Sequence, residues 1–187
     1  MLNSTKNIDE KQLIIESIAG NKQSFGCLYD KYYGQIYRYL YYRTASEEQA
    51  LDLSSEVFLR AWSHLTDFGQ QKIFQLRPWL YRIAHNLLVD HYRKEKSELI
   101  LKEYKNENIK DDDPLEQVEQ RQKSIGLAMV LKKLDQITQA VIACRFINGM
   151  SHKDTAQALG ISEGNVRIIQ FRGLKKIKKM LSEVGYE

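Results

Sequence analysis

The chain has 187 residues, which suffices for one large domain or two small ones, each with a modest hydrophobic core. A hydrophobic content of 43% and a charged content of 28% are ordinary for a globular protein, and two prolines and ten glycines are too few for the many turns of an all-β chain. The formal net charge of +4 is mild and excludes little by itself. Composition therefore predicts an all-α fold.

The charge is distributed unevenly along the chain. Between Ser97 and Gln120 eight acidic residues outnumber three lysines, so this stretch carries −5 and the remainder about +9. A basic body with an acidic connector is typical of a protein that binds an anionic polymer. We expect a first helical domain at residues 8–95, a flexible acidic linker at 96–117 and a second helical domain at 118–187, with the DDDP run at 111–114 as the clearest helix breaker.

The cysteines and histidines form no metal-binding or catalytic pattern. Cys27 and Cys144 lie in apolar surroundings without a CxxC partner, so both are predicted to be buried, in a reducing compartment. The four histidines lack ligand spacing, and no apolar run approaches transmembrane length. We therefore expect a cytoplasmic protein that needs no cofactor or metal. The absence of a nucleophile–base constellation or a glycine-rich phosphate loop argues against an enzyme.

The first domain shows three amphipathic helical patterns in chain order. Apolar residues recur at steps of three and four between Phe25 and Leu40, and seven of the eleven tyrosines lie between Tyr29 and Tyr42, which favours core packing. The sequence SEEQ at 46–49 has the form of a capping box and predicts the start of a second helix. Pro78 suits the first turn of a third helix, whose apolar face includes Leu80, Ala84 and Leu88.

The polar face of the third helix carries a possible nucleic-acid signature, since arginine and asparagine suit phosphates and base edges and an aromatic ring can stack on an exposed base. Its members follow at steps of three and four: Trp79, Arg82, Asn86, Asp90 and Arg93. A solvated polar face would show the same pattern, so this signal needs further context.

The second domain contains the spacing of a helix-turn-helix. Ala156 is small where two helices would cross, Gly160 permits the positive φ of a tight turn, and Val166 would anchor the second helix to the core. Ser162 is a suitable N-cap, and four lysines between 175 and 179 form a basic end. This combination favours DNA binding, although an αα-hairpin with a solvated lysine face remains the alternative.

Three motifs in the right order resemble those of the extracytoplasmic-function (group IV) sigma factors of bacterial RNA polymerase. DLSSEVFLRAW at 52–62 resembles their polymerase-binding helix, and LRPWLYRIAHNLLVDHYRK at 76–94 resembles the helix they use on the −10 promoter element. IACRF at 142–146, together with the helix-turn-helix, resembles their −35 domain. The resemblance covers residues 20 to 181. His85 departs from it, because an arginine is usual there, and the segment 166–172 resembles a less common recognition helix.

The resemblance implies that the first domain docks on the clamp of the largest polymerase subunit, that the second docks on the flap of the second-largest subunit, and that the loop at 64–75 holds a base flipped from melted promoter DNA. The residues implied for polymerase binding are Asp52, Ser55, Glu56, Phe58, Leu59 and Trp62. Those implied for the −10 element are Phe68, Trp79, Arg82, Asn86, Asp90, Arg93 and Lys94. Those implied for the −35 element are Ser162, Glu163, Asn165, Arg167, Ile168, Phe171, Arg172 and Lys175.

The expected activity is promoter recognition and open-complex formation with core polymerase, on duplex and melted DNA. The family is commonly held inactive by an anti-sigma factor, an expected partner that nothing in the sequence identifies. Two rivals stay open at this point. An ordinary helix-turn-helix regulator would explain residues 150–180 but not the two motifs of the first domain. A helical scaffold or interaction protein is the second rival, in which the lysine-rich end would serve only to be solvated.

Overall fold

The structure is a computed structural model that describes residues 9–70, 75–102 and 126–183. Within these ranges the chain forms helices and no strand, which confirms the all-α expectation. The first half contains α1 (Glu10–Ile18), α2 (Lys22–Thr44), α3 (Glu47–Ser63), α4 (Leu65–Gln70) and α5 (Leu76–Lys102). The second half contains the helical residues 126–132, α6 (Gln136–Ile142), a π-helical turn (Ala143–Ile147), α7 (His152–Leu159) and α8 (Glu163–Glu183).

Polar caps fix where the helices begin. The Asn21 side chain accepts hydrogen bonds from the backbone N–H groups of the first turn of α2, and the Ser151 hydroxyl does the same for α7. Ser46 caps α3 as its sequence predicts, because its Oγ accepts from the Gln49 N–H at 3.3 Å. Gly160 ends α7 with a φ of 68°, the left-handed conformation expected of the tight turn before α8.

Helices α2, α3 and α5 form the centre of the first half. Their buried stripes meet in a core that includes Leu28, Ile36, Val57, Leu80 and Leu88, while α1 covers α2. The predicted stripe of α2 is confirmed at Leu28 and Ile36, although Tyr29 lies at its edge and is exposed. The burial predicted for Cys27 is wrong, because position 27 lies on the face of α2 opposite the buried stripe and turns its side chain to solvent.

Two predicted boundaries differ from the observed helices. Helix α5 continues to Lys102, seven residues beyond the expected end of the first domain, and most of the predicted linker lies outside the described residues. The segment 64–75, expected as a loop, contains the short helix α4, whereas residues 71–74 lie outside the described ranges. Leu65 and Phe68 are the residues of α4 that enter the core, which explains why this segment is helical.

The second half packs directly on the first. Helix α7 lies against α5, and the fully buried Cys144 belongs to the same hydrophobic cluster as Tyr39 and Tyr81 of the first half. A smaller cluster of Leu131, Leu134 and Ile142 receives Tyr42 from α2. The contact between the halves, called here the seam, therefore runs along α5 and the C-terminal end of α2.

Candidate nucleic-acid and polymerase interfaces

Helix α8 presents an exposed basic and apolar face at the surface of the second half. Phe171 is 70% exposed and Ile168 50% exposed, while Arg167, Arg172 and Lys175 are also exposed. Exposed apolar side chains rimmed by cations form a patch typical of an interaction site, and this combination fits contact with thymine methyl groups and phosphates. The remaining −35 residues predicted from the sequence are exposed at the start of the helix: Ser162, Glu163 and Asn165.

The local structure orients the first turns of α8. The Ser162 Oγ accepts from the Asn165 N–H at 3.2 Å, so Ser162 is the cap and is held close to the helix. Glu163 forms an exposed pair with Arg167 at 3.4 Å, which restrains that guanidinium beside the outer face. The N-terminal end of α8 is therefore ordered by contacts within the helix itself.

The opposite face of α8 packs against α6 and α7, as its 3.6-residue period predicts. Val166 is fully buried, and Gly173 lies where a β-carbon would be 2.7 Å from Thr138 Cγ2. Sequence analysis missed Gln170, whose Oε1 accepts from Arg145 Nε at 3.0 Å. Arg145 thereby ties α8 to the π-helical turn, a contact between residues 25 positions apart that no local pattern could indicate.

The polar face of α5 divides between solvent and the seam. Asn86, Arg93 and Lys94 are exposed, and Arg93 pairs with the partly buried Asp90 at 3.1 Å. Arg82 donates from Nη2 to the backbone carbonyl of Gln157 on α7, at 2.5 Å. Helix α7 therefore engages one residue of the face expected to meet the −10 element.

An aromatic pair lies at the N-terminal end of that face. Trp79 is half-buried and its ring lies 4.5 Å from the ring of Phe68, with 31° between the planes. Phe68 itself is 2% exposed, so it supports the indole from beneath instead of presenting its own ring. Of this pair, the accessible surface for a base belongs to Trp79.

The outer face of α3 carries most of the residues predicted to bind polymerase. Leu59 is 64% exposed, Asp52 and Ser55 are exposed beside it, and Glu56 pairs with Arg60 at 2.7 Å. The other two predicted residues turn inward. Phe58 is 5% exposed against Tyr29, and Trp62 packs on Phe25 with ring centroids 4.9 Å apart. These two aromatics hold α3 on α2.

A buried polar centre lies where α2, α5 and α6 meet. Arg43 is fully buried and donates to Tyr39 Oη at 2.7 Å, to His85 Nδ1 at 3.1 Å and to the Gln136 carbonyl at 3.2 Å. Burial and the neighbouring guanidinium lower the pKa of His85 to about 4, so the imidazole is neutral at physiological pH. His85, which departs from the family pattern, thus accepts a hydrogen bond from Arg43 inside the protein.

The described ranges contain neither a metal cluster nor a membrane-spanning helix. No group of three or more histidine, cysteine, aspartate or glutamate side chains there could hold a metal ion. Among the same residues no helix has the length and apolarity needed to cross a membrane.

Comparison with known proteins matches both halves to one class, the sigma factors. The Sigma-70 region 2 family matches residues 28–98, and the Sigma-70 region 4 family matches residues 130–179. The ECF RNA polymerase sigma factor SigX of Bacillus subtilis is 31% identical over 166 residues, covering 84% of each chain. BldN of Streptomyces coelicolor, also an ECF sigma factor, is 31% identical over 92% of this chain, which spans 66% of the length of BldN.

A solved structure has the same fold over almost the whole chain. CnrH, in complex with the cytosolic domain of CnrY, matches with a TM-score of 0.73 and 25% identity, covering 93% of this chain and 97% of CnrH. The chain belongs to the ECF sigma factors of RNA polymerase. The alternative of an ordinary helix-turn-helix regulator is not favoured, because the first half of the chain matches Sigma-70 region 2 as well.

Proposed function

We propose that this ECF sigma factor directs core RNA polymerase to promoters through three surfaces and promotes strand opening without catalysing covalent chemistry. Residues 8–95 act as region 2, residues 118–187 act as region 4, and the acidic segment 96–117 connects them. The protein acts in the cytoplasm, where its polymerase and promoters are. The observation that carries the proposal is the presence of both regions in one chain, with region 2 before region 4.

The outer face of α3 is proposed to dock on the clamp of the largest polymerase subunit. Two acidic groups one turn apart and an exposed leucine form a compact patch, made by Asp52, Glu56 and Leu59. Exposed charges at the rim of an interface raise the encounter rate and select the partner, while a central apolar side chain supplies desolvation. Region 4 is proposed to bind the flap of the second-largest subunit.

The faces of α5 and α8 are proposed to read the two promoter elements. Trp79, Arg82 and Asn86 would engage the −10 strand, where bases held outside the duplex offset the few kcal/mol lost per unstacked step. Arg167, Ile168 and Phe171 lie at the N-terminal end of α8, the part of a recognition helix that reads bases in the major groove. Arg172 and Lys175 come later and would contact phosphates.

An anti-sigma factor is a proposed inhibitory partner. Support comes from the matched structure of CnrH, in which that protein is in complex with the cytosolic domain of CnrY. A protein bound over these regions would compete for the same surfaces that polymerase and DNA are proposed to use.

Competition for core polymerase tests the docking surface. We expect the double variant Asp52→Arg plus Glu56→Arg to compete at least tenfold less well against a labelled reference sigma factor, because it reverses both rim charges. Its thermal unfolding should be unchanged, since both positions lie on the surface of α3.

Asp30→Arg provides the control for added positive charge, because Asp30 is an exposed carboxylate on α2. It should compete as the natural protein does. Normal competition by the double variant would remove α3 from the interface.

A further inference from the structure

Arg145 joins three segments of the second half at the side of α8. It lies in the π-helical turn, a type of helical irregularity that often occurs at functional sites. Its Nε donates to Gln170 Oε1 of α8 at 3.0 Å, and its Nη1 donates to the backbone carbonyl of Met150, directly before the cap of α7. Bonds from two different nitrogens fix both the position and the plane of the guanidinium.

The bond from Arg145 also fixes which end of the Gln170 amide is available. An arginine carries only donors, so the amide atom that faces its Nε is the acceptor oxygen, and the amide nitrogen Nε2 is directed elsewhere. Within the described residues Nε2 makes no hydrogen bond, and it does not belong to the buried polar atoms that lack a partner. The half-buried Gln170 therefore presents N–H donors to solvent while its oxygen is occupied.

Gln170 lies beside the outer face of α8. With 100° per residue, Phe171, Arg167 and Gln170 follow one another around the helix at intervals of about 40° and about 60°. An α-helix is about 10–12 Å wide and the major groove is about 12 Å wide, so the sides of a helix in the groove lie close to the sugar–phosphate backbones. Gln170 is on such a side, between the outer face and the buried Val166.

The occupied oxygen decides what Gln170 can recognise. A glutamine with a free amide pairs with adenine in the major groove through one donor and one acceptor. Away from Arg145, Gln170 offers only its two donors, and these suit a phosphate oxygen, which only accepts. Contacts to phosphate carry no sequence information directly, but they set the register and orientation of a helix in the groove.

We propose that Gln170 donates to a phosphate at the edge of the −35 element and that Arg145 is a positioning residue, which holds the amide with its nitrogen towards the DNA. The inference rests on the proposed −35 role of α8 and adds a contact that fixes this helix in its groove. The π-helical turn thereby contributes to promoter binding through a side chain of another helix.

Gln170→Glu separates this role from a purely structural one. The carboxylate keeps an acceptor for Arg145 and strengthens the pair, so the free energy of unfolding should not fall. It has no donor, however, and it places a negative charge beside the phosphate. In a titration of the reconstituted holoenzyme on duplexes with a cognate or scrambled −35 element, we expect roughly tenfold weaker binding to both. Unchanged binding by the folded variant would overturn the proposal.

Gln170→Met removes the donor without adding a charge. Binding should again weaken roughly tenfold on both duplexes, while the log–log salt dependence keeps its slope, because a neutral donor releases no counterion. Gln170 differs in this respect from Lys175, whose loss should flatten the slope. A flatter slope for Gln170→Met would mean that a cation had lost its phosphate, and it would overturn the role given to the amide.

A double-variant cycle tests whether Arg145 acts through Gln170. Arg145→Leu should weaken binding to both duplexes, but it should cost less than about a further twofold in a chain that already carries Gln170→Met, because the amide that it positions is gone. A full additional loss would mean that Arg145 contacts DNA itself, which would overturn its positioning role. If Arg145→Leu unfolds α8, Gln170→Glu decides alone, because it retains the pair with the arginine.

Gln23→Glu is the matched control, since it makes the same change at an exposed position of α2 and should leave both affinities unchanged. Lys175→Ala verifies in the same titration that α8 contacts the promoter. If Lys175→Ala weakens binding and Gln170→Glu does not, the inference alone fails. If the natural holoenzyme binds no promoter, the proposed function fails and the inference fails with it.

Discussion

Arg43 is a fully buried arginine whose observed acceptors are a phenol, an imidazole and a main-chain carbonyl. Its buried charge is stabilised by these three hydrogen bonds, in which neutral acceptors direct lone pairs at the guanidinium. The Tyr39 phenol and the nearby buried thiol of Cys144 are neutral at physiological pH, because burial raises the pKa of both. His85 is the member of this centre that titrates within a moderate range, and its protonation would place a second positive charge beside Arg43.

The stability of the chain should therefore depend on pH through His85. Because the pKa of His85 is about 4 in the folded chain and near 6.5 when solvated, the unfolded chain binds more protons between these values. The contribution of neutral His85 to the free energy of unfolding is complete above pH 6.5. It is lost as the pH falls towards 4, at no more than about 1.4 kcal/mol per pH unit. Urea unfolding of the natural chain and of His85→Gln at several pH values measures it.

The glutamine amide keeps an acceptor for Arg43 but does not titrate. The free energy of unfolding of His85→Gln should consequently fall less steeply between pH 6.5 and 4 than that of the natural chain. Parallel curves for the two proteins would mean that His85 is solvated and outside this centre.

Arg167 and Lys175 should differ in how their loss affects promoter binding. Losing a phosphate contact weakens binding to every sequence and flattens the log–log salt dependence by roughly 0.9 per contact, which is the result expected for Lys175→Ala. Losing a base contact costs about 1–3 kcal/mol on the preferred site and relaxes discrimination there, which is expected for Arg167→Ala. The measurement is a salt titration of the reconstituted holoenzyme on duplexes with a cognate or scrambled −35 element. Equal weakening by Arg167→Ala on both duplexes would refute its base-reading role.

Periodicity predicted single residues well where a helix has one core-facing side. The outward placement of Ile168 and Phe171 and the burial of Val166 follow directly from 100° per residue along α8. The family motif suggested Phe58 and Phe68 for binding, whereas both side chains lie in the core, because tertiary contacts decide their burial. The functional roles of the exposed residues stay predictions.

At the scale of single elements, the crossing of α8 over α6 depends on Gly173. A β-carbon there would stand 2.7 Å from Thr138 Cγ2 and 3.3 Å from Ile142 Cδ1, closer than packed side chains allow. We expect Gly173→Ala to destabilise the chain by about 1–3 kcal/mol through overpacking. Thermal or urea unfolding measures the loss.

Two further variants make this prediction specific. Thr138→Ser removes the methyl group that a new β-carbon would meet, so it should restore part of the stability in the Gly173→Ala background. Gly164→Ala tests the same substitution on the same helix, where the nearest atom is Ser162 Oγ at 3.9 Å, and should be neutral or stabilising by up to about 1 kcal/mol. A stable Gly173→Ala variant would show that α6 and α8 can move apart at no cost.

Local signals predicted the helix boundaries that depend on capping residues, at starts and ends alike. Ser46 and Gly160 act as predicted because capping depends on a few neighbouring residues. The π-helical turn at Ala143–Ile147 and the extension of α5 to Lys102 carried no comparable signal. The π-helical turn is stabilised instead by contacts after its end, where Asn148 Nδ2 donates to the Ala143 carbonyl at 3.2 Å.

At the scale of the whole molecule, the two halves are closed on each other and α7 covers part of α5. Because Arg82 donates to Gln157, α7 lies beside the part of α5 that a −10 strand is expected to contact. We therefore expect the halves to separate when the chain joins core polymerase and promoter DNA. Composition and motifs indicated the two halves but could not indicate the seam, because it depends on contacts such as Arg43 to Gln136, which are 93 positions apart.

Energy transfer between two dyes can follow this separation. Cys27 is exposed on α2 and Cys144 is fully buried, so Cys27 and an added Ser182→Cys on α8 provide two reactive sites. Transfer should fall when core polymerase and promoter DNA are added, and it should stay high in the Asp52→Arg plus Glu56→Arg background. Constant transfer in a complex that demonstrably forms would mean that the closed arrangement persists on the promoter.

The tryptophans and most tyrosines are concentrated in one half of the chain, which affects its spectroscopic signals. Trp62 and Trp79 are the two tryptophans of the chain, and both lie in the first half, beside the ladder of tyrosines on α2. Residues 126–183 contain neither tryptophan nor tyrosine. Near-ultraviolet emission is consequently blind to the second half, whereas far-ultraviolet dichroism records the helices of both. Denaturation curves from the two signals will superimpose as long as the seam makes the halves unfold together, and they will split once it is weakened.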